Sequence, residues 1–211
     1  MLKNVETAEP LKFLPMEQKK KKLVFLKDVG HSYGKRCVLQ GMNLCIEQGD
    51  RIALAGQNGS GKTTLMNIVS RKIQPDSGEV GFCSGLVVSC VAQMADGLGG
   101  SLRAYAQAEG VDESLMLALL RKLNFDREVF LQDIETFSAG QKKKICLAAS
   151  LAKPAHLYVW DEPLNYIDVM SREQIEQAIL LSRPTLLFVE HDALFCQRVA
   201  NKKIELSGKT L

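Results

Sequence analysis

Nine consecutive residues, Gly56-Gln57-Asn58-Gly59-Ser60-Gly61-Lys62-Thr63-Thr64, bring three glycines, one lysine and three hydroxyls into a single stretch. An apolar run, Ile52-Ala53-Leu54-Ala55, precedes them, and Leu65-Met66-Asn67-Ile68-Val69 follows with helical character. Strand, glycine-rich turn and helix is the setting that a phosphate-binding loop needs. Glycines let the backbone curl so that successive N–H groups point inward at anionic oxygens. A helix starting near Lys62 adds unpaired N–H groups and about half a positive charge at the same place. In this reading Lys62 reaches the β- and γ-phosphates of a nucleotide and the Thr63 hydroxyl ligates Mg²⁺.

Two more strand ends carry chemistry. Leu157-Tyr158-Val159-Trp160 leads into Asp161-Glu162, which puts two carboxylates at the carboxyl end of a buried strand. In a doubly wound sheet that is beside the mouth of the phosphate loop. Asp161 is placed to hold Mg²⁺, directly or through water, and Glu162 to polarise an attacking water. Leu186-Leu187-Phe188-Val189 leads in the same way into Glu190-His191-Asp192, where His191 can donate to a γ-phosphate. Gln93, after the run Leu86–Val91, can ligate Mg²⁺ and the water and so sense the γ-phosphate. Tyr33, read as lying in a turn ahead of the first sheet, can stack on adenine. Taken alone, a lone aromatic, a histidine at a turn or an Asp-Glu pair is ordinary surface. It is their joint order behind Lys62 that carries the argument.

Phe137-Ser138-Ala139-Gly140-Gln141 opens another helix with a serine and a glycine, a second anion site on one chain. One nucleotide cannot use both sites if they face apart. Two such domains arranged head to tail solve this, each Ser138–Gly140 turn covering its partner's γ-phosphate.

The elements that must position these residues alternate. Strand patterns at Leu23–Leu26 and Met42–Ile46 flank a turn around Gly34. Pro75-Asp76-Ser77-Gly78 turns into Glu79–Phe82, and Leu86–Val91 reads as a buried strand followed by a glycine-rich loop. Residues 101–130 read as short helices whose apolar positions Leu115, Met116, Leu119, Leu120 and Leu123 form a core face. Ser138 caps a helix that Pro154 stops, residues 169–181 form another, and a last helix near 192–200 precedes a short strand near 203–206. Buried strands alternating with helices imply an α/β domain with a largely parallel sheet.

At 211 residues the chain fits one domain able to bury roughly 70% of its unfolded surface. A hydrophobic share of 46% argues against disorder, and a net charge of +3 is too small to identify a nucleic-acid binder. The six cysteines, at 37, 45, 83, 90, 146 and 196, form no C-x-x-C pair. With no signal peptide and no long apolar run, free thiols in a soluble cytoplasmic protein is the simplest reading. Residues 1–22, with Pro10, Pro15 and the solvated run Lys19-Lys20-Lys21-Lys22, read as a tail or the end of an interdomain linker.

From Leu23 onward these motifs, in this order, resemble the ATP-binding cassette (ABC) family. The resemblance implies a P-loop NTPase cassette over residues 23–211, with a mostly parallel core sheet, an N-terminal antiparallel β lobe carrying Tyr33 and a small helical lobe at about 94–136. It implies ATP and Mg²⁺ as cofactors and ATP hydrolysis. Gly56, Asn58, Gly59, Ser60, Gly61, Lys62, Thr63 and Thr64 of one cassette are then opposed by Ser138, Gly140 and Gln141 of a second, from the same parent chain or a homodimer. Phe137 and Ala139 depart from the Leu-Ser-Gly-Gly-Gln of membrane transporters. Phe137–Lys144 looks like the F subfamily, tandem ATPases that act on the ribosome. Glu162-Pro163-Leu164-Asn165-Tyr166-Ile167-Asp168 is similar to its antibiotic-resistance branch, with Leu164 and Tyr166 as departures. That resemblance implies the ribosome and its rRNA as partner, no direct membrane insertion, and a chain that is the C-terminal cassette of a longer protein. The competing reading is the nucleotide-binding subunit of a membrane ABC transporter. The short stretch between Gln93 and Ser138 speaks against it, because it leaves little surface for docking a transmembrane subunit.

Overall fold

The computed structural model describes residues 10–19, 21–95 and 97–206. In chain order its elements are β1 (Lys22–Tyr33), β2 (Arg36–Glu47), β3 (Arg51–Ala55), α1 (Lys62–Val69), β4 (Ser77–Phe82), β5 (Val88–Val91), α2 (Leu102–Glu109), α3 (Glu113–Lys122), α4 (Ala139–Ala152), β6 (Leu157–Asp161), α5 (Val169–Ser182), β7 (Leu186–Val189), α6 (Ala193–Val199) and β8 (Lys202–Glu205). They fall into two compact units. One, built from residues 15–93, 154–163 and 183–206, contains all of these strands together with α1 and α6. The other, from residues 10–14, 94–153 and 164–182, contains α2 to α5.

The strand unit holds two sheets. An antiparallel sheet has the order β2-β1-β4, and a parallel five-stranded sheet the order β5-β6-β7-β3-β8. The parallel strands are short, and β6 and β7 are buried along their whole length. That explains their continuous apolar runs: helices or other sheets cover both faces of such strands, so no polar alternation survives. Parallel register aligns Trp160 with Phe188 and Asp161 with Val189, and therefore brings the carboxyl ends of neighbouring strands level. A shared core of Leu23, Leu26, Ile46, Ile52, Leu54, Leu65, Ile68, Leu157 and Leu187, among others, fills this unit. Helix α1 buries Leu65, Met66, Ile68 and Val69 in it. Eight residues are too few for a helix stable alone in water, where ~12–15 are needed. Burial of those four side chains, worth about 1.5–3 kcal/mol each as an upper bound, is what holds α1 in place.

The first hairpin is longer than its apolar runs suggest. Tyr33 is the last residue of β1 and pairs with Arg36 across the two-residue turn Gly34-Lys35. The expectation of a turn ahead of the first sheet is thus corrected: Tyr33 ends a strand of that sheet. Residues 27–33 lack an apolar run but are carried in register by pairing with β2 and, at Lys27 and Gly30, with β4.

In the helical unit, caps set the helix starts. Ser101 Oγ accepts from Ala104 N–H at 3.1 Å, and Asp112 Oδ1 from Leu115 N–H at 2.7 Å. Met116, Leu119, Leu120 and Leu123 are buried as their spacing predicts, whereas Leu115 is exposed. The difference follows from geometry: Leu115 lies about 100° round the helix from Met116, on the edge of the apolar stripe. The Lys144 ammonium lies 2.6 Å from Asp168 Oδ2, and Ser171 donates to the same carboxylate through its N–H (2.9 Å) and hydroxyl (2.8 Å). Asp168 thereby caps α5 and ties it to α4.

Of the segment read as a tail, residues 1–9 and Lys20 lie outside the described residues. Residues 10–14 pack rather than project. Leu11 and Phe13 are buried, and Phe13 N–H donates to Ser182 Oγ at 3.1 Å. Their alternation, Leu11-Lys12-Phe13, puts two apolar side chains on one face of an extended segment. Within the strand unit, Met16 N–H donates to the Ala155 carbonyl at 2.8 Å.

Candidate functional site

The loop from Gly56 to Gly61 joins β3 to α1. Gly61 stands at the helix N-cap with φ +98°, and a Cβ there would sit 2.7 Å from Leu39 Cδ2 and 3.0 Å from the Val38 carbonyl. Only glycine meets both demands, and it lets α1 begin with its N–H groups turned into the loop. Lys62 Nζ donates to the Gly56 carbonyl at 2.8 Å and to the Gln57 carbonyl at 3.1 Å, so the ammonium is held over the loop it serves. Ser60 and Thr64 are buried, and the Ser60 hydroxyl has no hydrogen-bond partner among the described residues.

The parallel sheet delivers the rest. Asp161 ends β6, and its Oδ2 accepts from Thr63 Oγ1 at 2.9 Å. Glu162 follows in the left-handed region, φ +47°, with its N–H bonded to the Val189 carbonyl at 3.0 Å. Gln93, two residues past β5, donates its Nε2 to Glu162 Oε1 at 2.9 Å. His191, two residues past β7, brings Nε2 to 3.2 Å from the same oxygen. An ionised carboxylate only accepts, so this contact is a hydrogen bond in the tautomer that carries the proton on Nε2. The sequence reading sends Gln93 to metal and water and His191 to a phosphate. In this structure both side chains bracket Glu162. Three adjacent strand ends, of β5, β6 and β7, converge there, and a carboxylate in their midst attracts both donors.

A cavity of about 390 Å³ opens on these groups, walled by Asn58, Gly59, Gly61, Lys62, Thr63, Thr64, Gln93, Asp161 and Glu162. Tyr33 stands at its rim, half exposed, with Arg36 and Val38. Sequence reasoning passed over Arg36 and Val38. Their signal is adjacency, since Arg36 directly follows the Gly34-Lys35 turn and Val38 comes two residues later.

Ser138, Gly140 and Gln141 belong to the helical unit, not to the unit that holds this cavity. Ser138 Oγ accepts from Gln141 N–H at 3.2 Å while Gln141 Oε1 accepts from Ser138 N–H at 2.9 Å, a complete capping box. The Gln141 side chain is therefore committed to the helix start. A Cβ on Gly140 would lie 2.7 Å from the Tyr166 carbonyl, so this glycine is also a packing requirement.

A parallel sheet with a phosphate loop after β3, an Asp-Glu pair ending β6 and a serine-capped glycine helix defines an ATP-binding cassette ATPase domain. A family model described as ABC transporter matches residues 39–165, and the chain belongs to that family. Among curated relatives it is 30% identical over 198 residues to the ATP-binding protein Uup of Caulobacter vibrioides, aligning 90% of this chain with 33% of that one. It is 30% identical over 196 residues to the ribosome protection protein VmlR of Bacillus subtilis (89% and 35%) and 28% identical over 190 residues to ABC transporter F family member 2 of Arabidopsis thaliana (87% and 28%). The chain thus spans about a third of the length of these relatives. The dimeric structure of MJ0796, a bacterial ABC transporter cassette, shares the fold with a TM-score of 0.76 at 21% identity, covering 88% of this chain and 95% of that one. No helix among the described residues is long and apolar enough to cross a membrane.

Proposed function

We propose that the chain is one cassette of an F-subfamily protein that binds ATP with Mg²⁺, hydrolyses it at a site completed by a second cassette, and acts in the cytoplasm on the ribosome, where such action protects against antibiotics. The observation that carries the ATP site is the meeting of Lys62, Thr63, Asp161 and Glu162 around one cavity. The ribosome reading rests on the Phe137–Lys144 and Glu162–Asp168 stretches and on likeness to a ribosome protection protein.

The donor set suits Mg²⁺. The Thr63 hydroxyl, the Asp161 carboxylate and the Gln93 amide offer hard oxygen ligands, and the first two lie 2.9 Å apart. Bound there, the ion would supply positive charge that offsets the phosphate charge. Lys62 exchanges its two loop carbonyls for phosphate oxygens, a trade within the same short reach. Gly59 to Thr64 supply backbone N–H groups and hydroxyls, and Tyr33 offers its ring face to adenine. Glu162 takes the proton of the attacking water, with Gln93 and His191 orienting its carboxylate. Ser138 and Gly140 of the second cassette close the site over the terminal phosphate.

The test uses the longer parent protein carrying Glu162→Gln. It is expected to co-sediment with ribosomes in ATP and to release when ATP is withdrawn, because only the closed cassette pair presents the ribosome-binding shape. Binding should weaken with salt, as phosphate contacts release counterions. Recovery with a polytopic membrane protein and no ribosomes replaces this reading with that of a transporter subunit.

A further inference from the structure

Arg36 opens β2 directly across the hairpin turn from Tyr33, and both line the cavity above the phosphate loop. Its guanidinium lies over the loop itself: Nη2 is 2.9 Å from where a Cβ of Gly59 would stand, with Cζ at 4.0 Å. A side chain at position 59 would push the guanidinium away, so the glycine leaves room for a cation as well as for a turn. Arg36 is exposed, and its guanidinium has no ion pair or hydrogen bond among the described residues. Lys62, the other cation of this cavity, is by contrast held by two carbonyls.

We propose that Arg36 is a nucleotide-contacting residue that grips the phosphate chain from the hairpin side, opposite Lys62. This rests on the ATP reading of the loop. The charge balance favours it. Arg36 and Lys62 face Asp161 and Glu162 in the cavity, so removing Arg36 leaves a net negative surround for a polyanionic ligand. A guanidinium offers a planar fork of donors that fits two phosphate oxygens at once, which an ammonium does not. Because Tyr33 and Arg36 are cross-strand partners, one hairpin end carries both the base-stacking ring and the phosphate-gripping cation. The length of the nucleotide between base and phosphates is then measured by that hairpin.

The test compares the wild-type 211-residue chain with Arg36→Ala, Arg36→Lys and Lys62→Ala. ATP and adenosine affinities are measured by competition against a fluorescent ATP analogue, at low and high salt. Arg36→Ala is expected to weaken ATP about tenfold, a loss of about 1.4 kcal/mol, while leaving adenosine affinity and nucleotide-free melting unchanged. Arg36→Lys should fall between, and the salt dependence of ATP binding should flatten in Arg36→Ala. If Arg36→Ala binds ATP as the wild type does while Lys62→Ala loses it, the inference is overturned and the site reading stands. If Lys62→Ala also keeps full affinity, the site reading itself falls. Equal losses for ATP and adenosine also overturn the inference, since they mean Arg36 acts through the Tyr33 ring.

Discussion

Thr63 Oγ1 donates to Asp161 Oδ2 at 2.9 Å, linking the first turn of α1 to the end of β6 across 98 residues of sequence. Both groups are hard oxygen donors, and the bond holds them side by side where Mg²⁺ would accompany a nucleotide. Replacing Thr63 by Val keeps the shape and removes the hydroxyl. ATP binding without metal is expected to persist, whereas the gain in affinity on adding Mg²⁺ should shrink about 10–100-fold. Calorimetric titration with and without chelator measures it. An undiminished Mg²⁺ effect in the variant removes Thr63 from the metal site.

Glu162→Gln isolates the chemistry from the fold. Glutamine is close in shape and takes on the same left-handed backbone, so any strain at φ +47° is unchanged. Phosphate release in the two-cassette protein should fall by ~10²–10⁴-fold, the range of a lost general base, with ATP affinity within a few-fold of wild type. Hydrolysis at the wild-type rate would falsify the assignment of Glu162 as base.

Gly140→Ala should destabilise the helical unit. The added Cβ meets the Tyr166 carbonyl at 2.7 Å, and backbone cannot move aside as a flexible side-chain end can. Overpacking costs about 1–3 kcal/mol, against about 1 kcal/mol gained from helix propensity. Urea unfolding in the absence of nucleotide reads the net sign. A raised midpoint means that the Tyr166 segment relaxes freely and that the glycine serves the ligand alone.

Asp168 gives the helical unit an acid-sensitive joint. Burial pushes its pKa up, but hydrogen bonds from Lys144 and Ser171, together with the Lys144 charge, outweigh that and bring it from 3.8 down to about 2. A depressed carboxylate stabilises the fold above its unfolded pKa, and that contribution is lost as pH falls from about 3.8 through about 2. The side chain is 39% exposed, so solvent screening keeps the effect modest and salt reduces it. Asp168→Asn should melt lower at neutral pH and show a flatter acid limb between those two values. Parallel acid limbs in the two proteins place the sensitivity elsewhere.

The local sequence alone determined the pieces whose chemistry lies within one turn of backbone. The glycine spacing before Lys62, the Ser138 helix cap and the apolar runs ending at Asp161 and Val189 each act over a few residues, so their types and order suffice to read them. Only the tertiary structure decided what those strand ends do to one another. Gln93, Glu162 and His191 are far apart in the chain, and it is the parallel order β5-β6-β7 that brings two donors onto one carboxylate oxygen. Arg36 was invisible for the same reason: its meaning depends on a hairpin folding back over Gly59, a contact 23 residues distant that no periodicity encodes. Leu11 and Phe13 looked like part of a polar tail because two apolar residues make no pattern, and burial became apparent only where the folded helical unit offered them a surface. Motifs report chemistry held within a turn, whereas the pairing of strands and the cover of a loop are set by packing between segments that the chain keeps far apart.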